Sequence, residues 1–413
     1  MYKRSDNPFP LSANKLNSFL NKAWTNGWLD CYSDKHFLIK CINNQLTKIE
    51  WENQLLSNNS NSIYSPITYN GKIDFNNFTV NFITNLSTKL MGLSNAFGED
   101  KIKSFIENQL SAGKSSYNRD MFFQALSEVE ILCFYAGRFD WDEILYEPPV
   151  GANGSNPEAR FVYKGEDENA SFTINIEVKT PSFPLIPQQR SKTAIPSVLL
   201  TDIGRKKFQN LCEENGFRCV MPRVTKLAQF INSAAQKFEV PKENEFNLLY
   251  INWSYSDFPS NGFLEPWSLL SNEINGILTH PDIGTSLPFN PPICSEAYEK
   301  ISAIIVYTSS LDQLMFSNFL YSWQTSPNVG PRFRMFILNK DLREKEFTNT
   351  SNAFFKITGM NPSKLEPNKW RLLLDCNWTK STTIEEKAID SKFSLDALNI
   401  ISTHTLSSSS AEQ

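Results

Sequence analysis

An alternation of apolar and polar side chains between Phe172 and Lys179 is the feature that most constrains the fold of this chain. Successive side chains of a β-strand point to opposite faces. One face of this segment therefore carries only apolar side chains, those of Phe172, Ile174, Ile176 and Val178. The other face carries Thr173, Asn175, Glu177 and Lys179. The segment predicts a strand that packs on a core and holds a carboxylate and an ammonium side by side.

The residues before this strand predict two more strands and the turns between them. Residues 144–147 are a short apolar run that ends at a Pro-Pro pair, and residues 160–163 are a second run. The polar segment 165–169 is typical of a hairpin loop, which would bring the second run back beside the strand of Glu177. Glu158 lies just before that run, so we expect it next to Glu177 on the neighbouring strand.

Two stretches have the three and four residue spacing of amphipathic helices, Asn118 to Gly137 and Val224 to Phe238. Glu128 lies at the edge of the apolar stripe of the first helix, where it can point toward a neighbouring sheet. Glu130 is an alternative at that edge, and we favour Glu128. Two later apolar runs predict further strands, at residues 247–253 and 301–307. The order of helix, three strands, helix and strand indicates an α/β or α+β fold.

The length of 413 residues exceeds the usual size of one core, so we divide the chain into three regions. Residues 1–110 form an N-terminal region without a recognisable role, and residues 111–340 hold the predicted core with additions. Residues 341–413 form a C-terminal extension whose serine-rich end we expect to be disordered.

Composition excludes several classes of function. The three His lie in no zinc-binding arrangement, and the seven Cys include no Cys-x-x-Cys pair, which argues against zinc hydrolases and a disulfide framework. No apolar run is long enough to span a bilayer, so we expect a cytoplasmic protein without a membrane partner. With a net charge of -4, binding of nucleic acid would need a local basic patch. The candidates are Arg190, Lys192 and the cluster Arg205-Lys206-Lys207.

The ordered motifs between Asn118 and Pro181 resemble the PD-(D/E)xK nuclease superfamily, in particular its restriction-endonuclease-like members. The matching residues are the helix with Glu128, then Pro157-Glu158, then Glu177-Val178-Lys179. The resemblance implies an αβββαβ core with a mixed central sheet, flanked by N-terminal and C-terminal additions. It also implies Mg²⁺ or Mn²⁺ at paired carboxylates and hydrolysis of phosphodiester bonds.

By position, the resemblance assigns a role to each site residue. Glu158 takes the place of the usual aspartate as a metal ligand, and Glu177 is the second ligand. The carbonyl oxygen of Val178 can add a third oxygen, and Lys179 can position water or stabilise the transition state. Glu128 would complete the metal site from the helix. Gln236-Lys237, on the second helix, is a weaker candidate to approach the phosphate.

Three hypotheses follow from these motifs. The first is a divalent-metal-dependent nuclease that acts on DNA, in restriction or antiviral defence, with a second copy or a defence-system subunit as partner. The second is a nuclease-like scaffold that binds nucleic acid or protein without cleavage, because Glu158 is one carbon longer than aspartate. The third is an effector that is silent without a partner. The alternative to all three is that Glu177 and Lys179 are solvated neighbours without a function. The pattern Glu-x-Lys is common and occurs again in this chain, at Glu385-Glu386-Lys387.

Overall fold

The fold is seen in a computed structural model that describes residues 18–43, 68–69, 72–73, 75–149, 154–165, 171–181, 193–194, 196, 199–219, 221, 223–253, 266, 269–270, 276–278, 293–308, 332–338, 395–397, 399–400 and 403. Most of the C-terminal extension lies outside these residues, and so do Arg190 and Lys192. The predicted disorder of the C-terminal end and the predicted basic contacts of Arg190 and Lys192 therefore stay predictions.

The described chain contains eight α-helices, one π-helix and ten strands. The α-helices are α1 (Ser18–Thr25), α2 (Phe37–Ile42), α3 (Phe75–Phe97), α4 (Glu99–Phe105), α5 (Arg119–Ala136), α6 (Asp202–Glu214), α7 (Val224–Lys237) and α8 (Ser295–Lys300), and a π-helix spans Ile106–Leu110. The strands are β1 (Thr68–Tyr69), β2 (Lys72–Ile73), β3 (Glu143–Tyr146), β4 (Ala159–Tyr163), β5 (Phe172–Lys179), β6 (Thr193–Ala194), β7 (Arg218–Cys219), β8 (Glu245–Asn252), β9 (Ala303–Thr308) and β10 (Arg332–Ile337).

A mixed sheet of six strands forms the centre of the described structure, in the order β10-β9-β8-β5-β4-β3. Strands β3, β4 and β5 pair antiparallel, and β5, β8 and β9 run parallel to one another. Strand β10 returns antiparallel along β9. The predicted α/β class with a mixed sheet is therefore confirmed, and β5 lies in the middle of the sheet, where pairing on both sides fixes its position.

Both faces of the sheet are covered, as the alternation of β8 shows. Leu248 and Tyr250 of β8 belong to the apolar core that contains α5, whereas Leu249 and Ile251 belong to the core that contains α7. A strand that is buried on both faces reads as a continuous apolar run, which explains the sequence of β8. The sheet thus lies between α5 on one face and α7 on the other.

Helix α5 begins and ends where its sequence predicts. The side chain of Asn118 accepts hydrogen bonds from the backbone N–H groups of Asp120 and Met121, and Gly137 caps the C-terminal end. Its buried residues include Phe122, Leu126 and Val129, which repeat at helical spacing. This helix is consequently a fixed support for Glu128.

The N-terminal helices share the core of the sheet. Side chains of α1, α2 and α3 lie in the same apolar cluster as those of α5 and β5. His36 lies at the start of α2, fully buried, and its ring nitrogen Nε2 is 3.0 Å from the carbonyl oxygen of Leu110. Helices α1, α2 and α3 therefore pack against the central sheet, and the division at residue 110 stays a prediction.

Helix α6 and the short parallel pair β6 and β7 interrupt the expected order between β5 and α7. The basic cluster that begins at Arg205 lies on this helix, which the sequence reading had not predicted. The side chain of Thr201 accepts a hydrogen bond from the N–H group of Gly204 and caps the helix. No helix of the described residues is long and apolar enough to cross a membrane.

Candidate functional site

Glu177 lies near the C-terminal end of β5, on the face of the strand opposite Ile176 and Val178. Those two residues pack in the core with α5, as the alternation predicts. The polar face of β5 is covered as well, since Glu177 is 0% exposed. Further along this face, Asn175 donates a hydrogen bond of 2.7 Å to Asn247 of β8. Glu177 is thus a buried carboxylate in a covered polar layer, rather than part of a solvated strand face.

Glu158 lies directly beside the strand of Glu177. Its N–H group donates a hydrogen bond of 2.8 Å to the carbonyl oxygen of Ile176, which extends the pairing of β4 and β5 by one residue. Its own carbonyl oxygen accepts from the N–H group of Glu147 at 2.9 Å. The backbone of Glu147 has a φ of 45°, a region that few residues other than glycine adopt. Backbone contacts on two sides therefore hold Glu158 at the position that the hairpin predicts.

Lys237, the last residue of α7, joins the two carboxylates. Its Nζ atom is 2.9 Å from Oε1 and 3.0 Å from Oε2 of Glu177, and 3.4 Å from Oε1 of Glu158. The hydroxyl group of Ser155, three residues before Glu158, donates to the carbonyl oxygen of Gln236 at 2.8 Å. The end of α7 is consequently tied to the loop that carries Glu158, and the ammonium group is held between the two acids.

Lys179 provides a second ammonium group from the end of β5. Its Nζ atom is 2.5 Å from Oε1 of Glu177, and its side chain is 20% exposed. Val178 lies between the two residues and pairs in register with Tyr250 of β8. The carbonyl of Thr180, just beyond, accepts a hydrogen bond of 3.1 Å from the side chain of Gln124 on α5. Lys179 is therefore the partly exposed end of β5. The residues on either side of it, Val178 and Thr180, are held by β8 and α5.

Glu128 approaches from α5 and has a different partner. The hydroxyl group of Tyr146 on β3 lies 3.0 Å from Oε1 of Glu128 and 3.2 Å from Oε1 of Gln109 in the π-helix. The amide nitrogen of Gln109 in turn donates to Glu147 at 3.1 Å. These contacts orient Glu128, whose carboxyl group interacts with the other acids through its charge.

Glu130 points away from this group. It forms a buried ion pair with Lys89 of α3, on the helical side of the molecule. By contrast, the charges of Glu158 and Glu177 both act on Glu128. The geometry therefore favours Glu128 over Glu130 as the acid that α5 supplies.

The charges of the acids act strongly on one another. Burial and the charge of the adjacent Glu177 together raise the pKa of Glu158 to about 7, against the opposing effects of Lys237 and Lys179. Burial raises the pKa of Glu128 well above its ordinary value, and the charge of Glu158 adds to this. Burial lowers the pKa of Lys237, but the two carboxylates outweigh it and raise the pKa above the usual value. The three acids thus resist being ionised together, although two ammonium groups lie beside them.

These residues suit a hard divalent cation on two grounds. Mg²⁺ and Mn²⁺ bind carboxylate oxygens, and carboxylates that repel one another are stabilised by a cation. Moreover, Oε1 of Glu177 is buried and has no hydrogen bond from any described residue, although it has two ammonium groups nearby. The described residues hold no ready-made group of three or more His, Cys, Asp or Glu arranged around a metal. The space between Glu158 and Glu177 is taken by Lys237.

The structure thus brings Glu158, Glu177 and Lys179 together and places Glu128 within electrostatic reach. Sequence reasoning gave Lys237 only a weak role toward phosphate, and it missed Tyr146 and Gln109. The apolar stripe of α7 ends beside Lys237 and identifies the helix end, but it gives no signal of which strand lies opposite. Trp253, which follows β8, is 0% exposed and packs in the core.

Comparison of this chain with protein-family models finds no family that matches. Comparisons with curated proteins and with solved structures find no match either. The arrangement of the site residues is accordingly the basis on which a function can be proposed.

Proposed function

We propose that this protein is a divalent-metal-dependent nuclease with a restriction-endonuclease-like αβββαβ core. The observation that carries the proposal is the convergence of Glu158, Glu177 and Lys179 at the end of the central strand. The chain order of helix α5, the antiparallel strands β3, β4 and β5, helix α7 and the parallel strand β8 supports the proposed core, with β6, α6 and β7 as an insertion.

Each residue has a role in this proposal. Glu158 and Glu177 hold Mg²⁺ or Mn²⁺, with the carbonyl oxygen of Val178 as a further ligand and Glu128 as support from α5. When bound, such a cation neutralises charge that develops on the phosphate and lowers the pKa of a bound water. Lys179, which is exposed enough to meet a substrate, orients the attacking water or stabilises the transition state. DNA as the substrate, and a role in restriction or antiviral defence, rest on the family resemblance alone.

The test is cleavage of supercoiled plasmid by the full chain with Mg²⁺ or Mn²⁺. Lys179→Ala should lower the rate by about 100-fold or more, the range for loss of one group that stabilises a transition state. Lys164→Ala is the matched control, because Lys164 is an exposed lysine at the opposite end of the hairpin. Equal cleavage by the wild type and Lys179→Ala would refute the assignment.

One observation favours a second candidate function, a nuclease-like scaffold that binds nucleic acid or a partner without cleavage. The ammonium group of Lys237 already pairs with both Glu158 and Glu177, so the two acids have a counter-ion that needs no metal. A scaffold should bind duplex DNA or a partner protein while showing neither cleavage nor Mn²⁺ binding. Isothermal titration calorimetry with Mn²⁺ separates the two candidates, since only the nuclease requires the cation.

A further inference from the structure

The two ammonium groups of the site have different surroundings. The Nζ atom of Lys179 contacts one oxygen of Glu177, and it extends from the same strand. The Nζ atom of Lys237 contacts both oxygens of Glu177 and one of Glu158, from a helix on the other side of the polar layer. Lys237 is therefore the group that bridges the acids.

The three oxygen atoms that surround Lys237 are the ones that a divalent cation would use. Mg²⁺ binds oxygen ligands at about 2.0–2.1 Å and is commonly held by one or two carboxylates. An ammonium group within 2.9–3.4 Å of the same oxygens already lies in the space beside them. A cation at these oxygens would also be repelled by a positive charge so close by. The two cannot share the position.

The side chain of Lys237 can leave this position while its backbone stays in place. The hydrogen bond from Ser155 to Gln236 fixes the end of α7, and the next residue, Phe238, is buried in the core. The side chain of Lys237, however, is 23% exposed, and lysine has a flexible stem of four carbons. The side chain is thus partly exposed and can move without the helix.

We infer that Lys237 is an internal counter-ion that a divalent cation displaces when it binds between Glu158 and Glu177. The inference rests on the proposed function, since it assumes that these acids bind a metal. Without metal, Lys237 stabilises the paired acids and keeps the site in order. Its competition weakens the affinity for the cation and makes the site selective for ions that carry a high charge.

The experiment is calorimetric titration of Mn²⁺ into the metal-free full chain and into Lys237→Met. The Met side chain has similar length and no charge, so Mn²⁺ should bind at least 10-fold more tightly. Lys226→Met is the matched control, because Lys226 lies on the same helix with its Nζ atom over the ring of Phe230. That control should bind Mn²⁺ as the wild type does. In EDTA, Lys237→Met should also unfold at a lower temperature than the wild type, and Mn²⁺ should raise its melting temperature by more.

A second variant keeps the test decisive if Lys237→Met does not fold. Lys237→Arg retains the charge, and its planar guanidinium group pairs with carboxylates through two hydrogen bonds. It should compete more strongly and bind Mn²⁺ more weakly than the wild type, with no loss of stability in EDTA.

The outcomes distinguish this inference from the proposed function. If Mn²⁺ binds the wild type, Lys237→Met and Lys237→Arg with equal affinity, Lys237 is not a competitor, and the metal-dependent nuclease stands. Weaker binding by Lys237→Met would likewise overturn the inference alone. If the wild type and both variants fail to bind Mn²⁺, the proposed function falls together with the inference.

Discussion

Glu177 and Lys237 are 60 residues apart in the sequence, and their charged groups meet at 2.9–3.0 Å in a layer that is closed to solvent on the side of Glu177. Strand β5 carries the carboxylate of Glu177, and helix α7 carries the ammonium group of Lys237. Glu158 joins them from a neighbouring strand, so one ammonium group serves two carboxylates. This arrangement has consequences for stability that can be measured separately from any activity.

The first prediction concerns the pH dependence of folding. The pKa of Glu158 is raised to about 7 by burial and by Glu177, from an ordinary value of 4.5. Between these values the folded chain holds a proton that the unfolded chain has lost, so stability falls as pH rises. In EDTA, the free energy of unfolding should drop by on the order of 2 to 3 kcal/mol from pH 5 to pH 8. Urea denaturation at several pH values measures it.

Two variants control this measurement. Glu158→Gln keeps the shape of a protonated acid, so the dependence on pH should become clearly weaker. Glu143→Gln changes an exposed acid of β3 and should leave the wild-type dependence in place. A free energy of unfolding that is flat or rises from pH 5 to pH 8 in the wild type would contradict the prediction.

The second prediction concerns the support of Glu128 by Tyr146. The hydrogen bond from Tyr146 lowers the pKa of Glu128 against the larger opposing effect of burial. Tyr146→Phe should therefore leave Glu128 more fully protonated and a poorer ligand. We expect stability to fall by about 1 kcal/mol and Mn²⁺ affinity to fall by roughly 10-fold or more. Chemical denaturation and calorimetry give the two values.

Tyr163→Phe is the control for this change. Tyr163 lies at the far end of the adjacent strand, where its ring stacks on Phe172. Its variant should keep the wild-type affinity for Mn²⁺. If Tyr146→Phe also keeps that affinity, Glu128 does not take part in holding the cation.

The third prediction separates Glu130 from Glu128. Glu130 and Lys89 form an ion pair that is almost fully buried. Glu130→Ala leaves the charge of Lys89 buried without this carboxylate and should lower the free energy of unfolding by about 3–5 kcal/mol. Replacement of both partners, as Lys89→Met with Glu130→Leu, should recover most of that loss. Urea denaturation of the wild type, Lys89→Met, Glu130→Leu and the double variant, which close a double-mutant cycle, and of Glu130→Ala provides the measurement.

The affinity of the double variant for Mn²⁺ tests whether Glu130 takes part in metal binding. The double variant should bind the cation as the wild type does, because Glu130 faces α3 rather than Glu158 and Glu177. Loss of Mn²⁺ binding in this folded double variant would show that Glu130, and not Glu128, supports the site.

Local patterns in the sequence were sufficient to predict the elements that carry the acids. The alternation from Phe172 to Lys179 gave the apolar face of β5, and the spacing after Asn118 gave α5 and its cap. The proximity of Glu158 and Glu177 followed from one hairpin, in which few residues separate the partners. Short-range periodicity determines such features, so they can be read without knowledge of the rest of the fold.

Contacts between distant elements could not be predicted in this way. Nothing near Lys237 indicates that α7 ends opposite β5, since that depends on how α7 packs against the sheet. The role of Gln109 depends on a π-helix, which has no clear pattern in the sequence. The covering of Glu177 depends on α7 too, and the alternation alone left that face open to solvent.

Helix α6, in contrast, could be predicted from its sequence, because the pattern of an amphipathic helix is present there. Gly204, Phe208, Leu211 and Cys212 are buried at helical spacing, and Thr201 is a typical N-cap residue. The charged run that begins at Arg205 predicts basic contacts and gives no indication of a helix. Charge patterns describe a surface, whereas the apolar positions between them determine the element.

The fourth prediction concerns contact between DNA and the lysines of α6. Lys206 and Lys207 lie on the exposed side of α6, and a lysine that contacts a phosphate releases a counter-ion when DNA binds. If both contact the backbone, Lys206→Ala with Lys207→Ala should weaken binding of duplex DNA and reduce the slope of log K against log salt by about 2. Fluorescence anisotropy in EDTA over a range of salt concentrations measures this slope without cleavage. The control is Lys101→Ala with Lys103→Ala on α4, which should keep the wild-type slope. An unchanged slope in the α6 variant would place the path of the DNA elsewhere on the surface, because loss of phosphate contacts must alter the number of ions released.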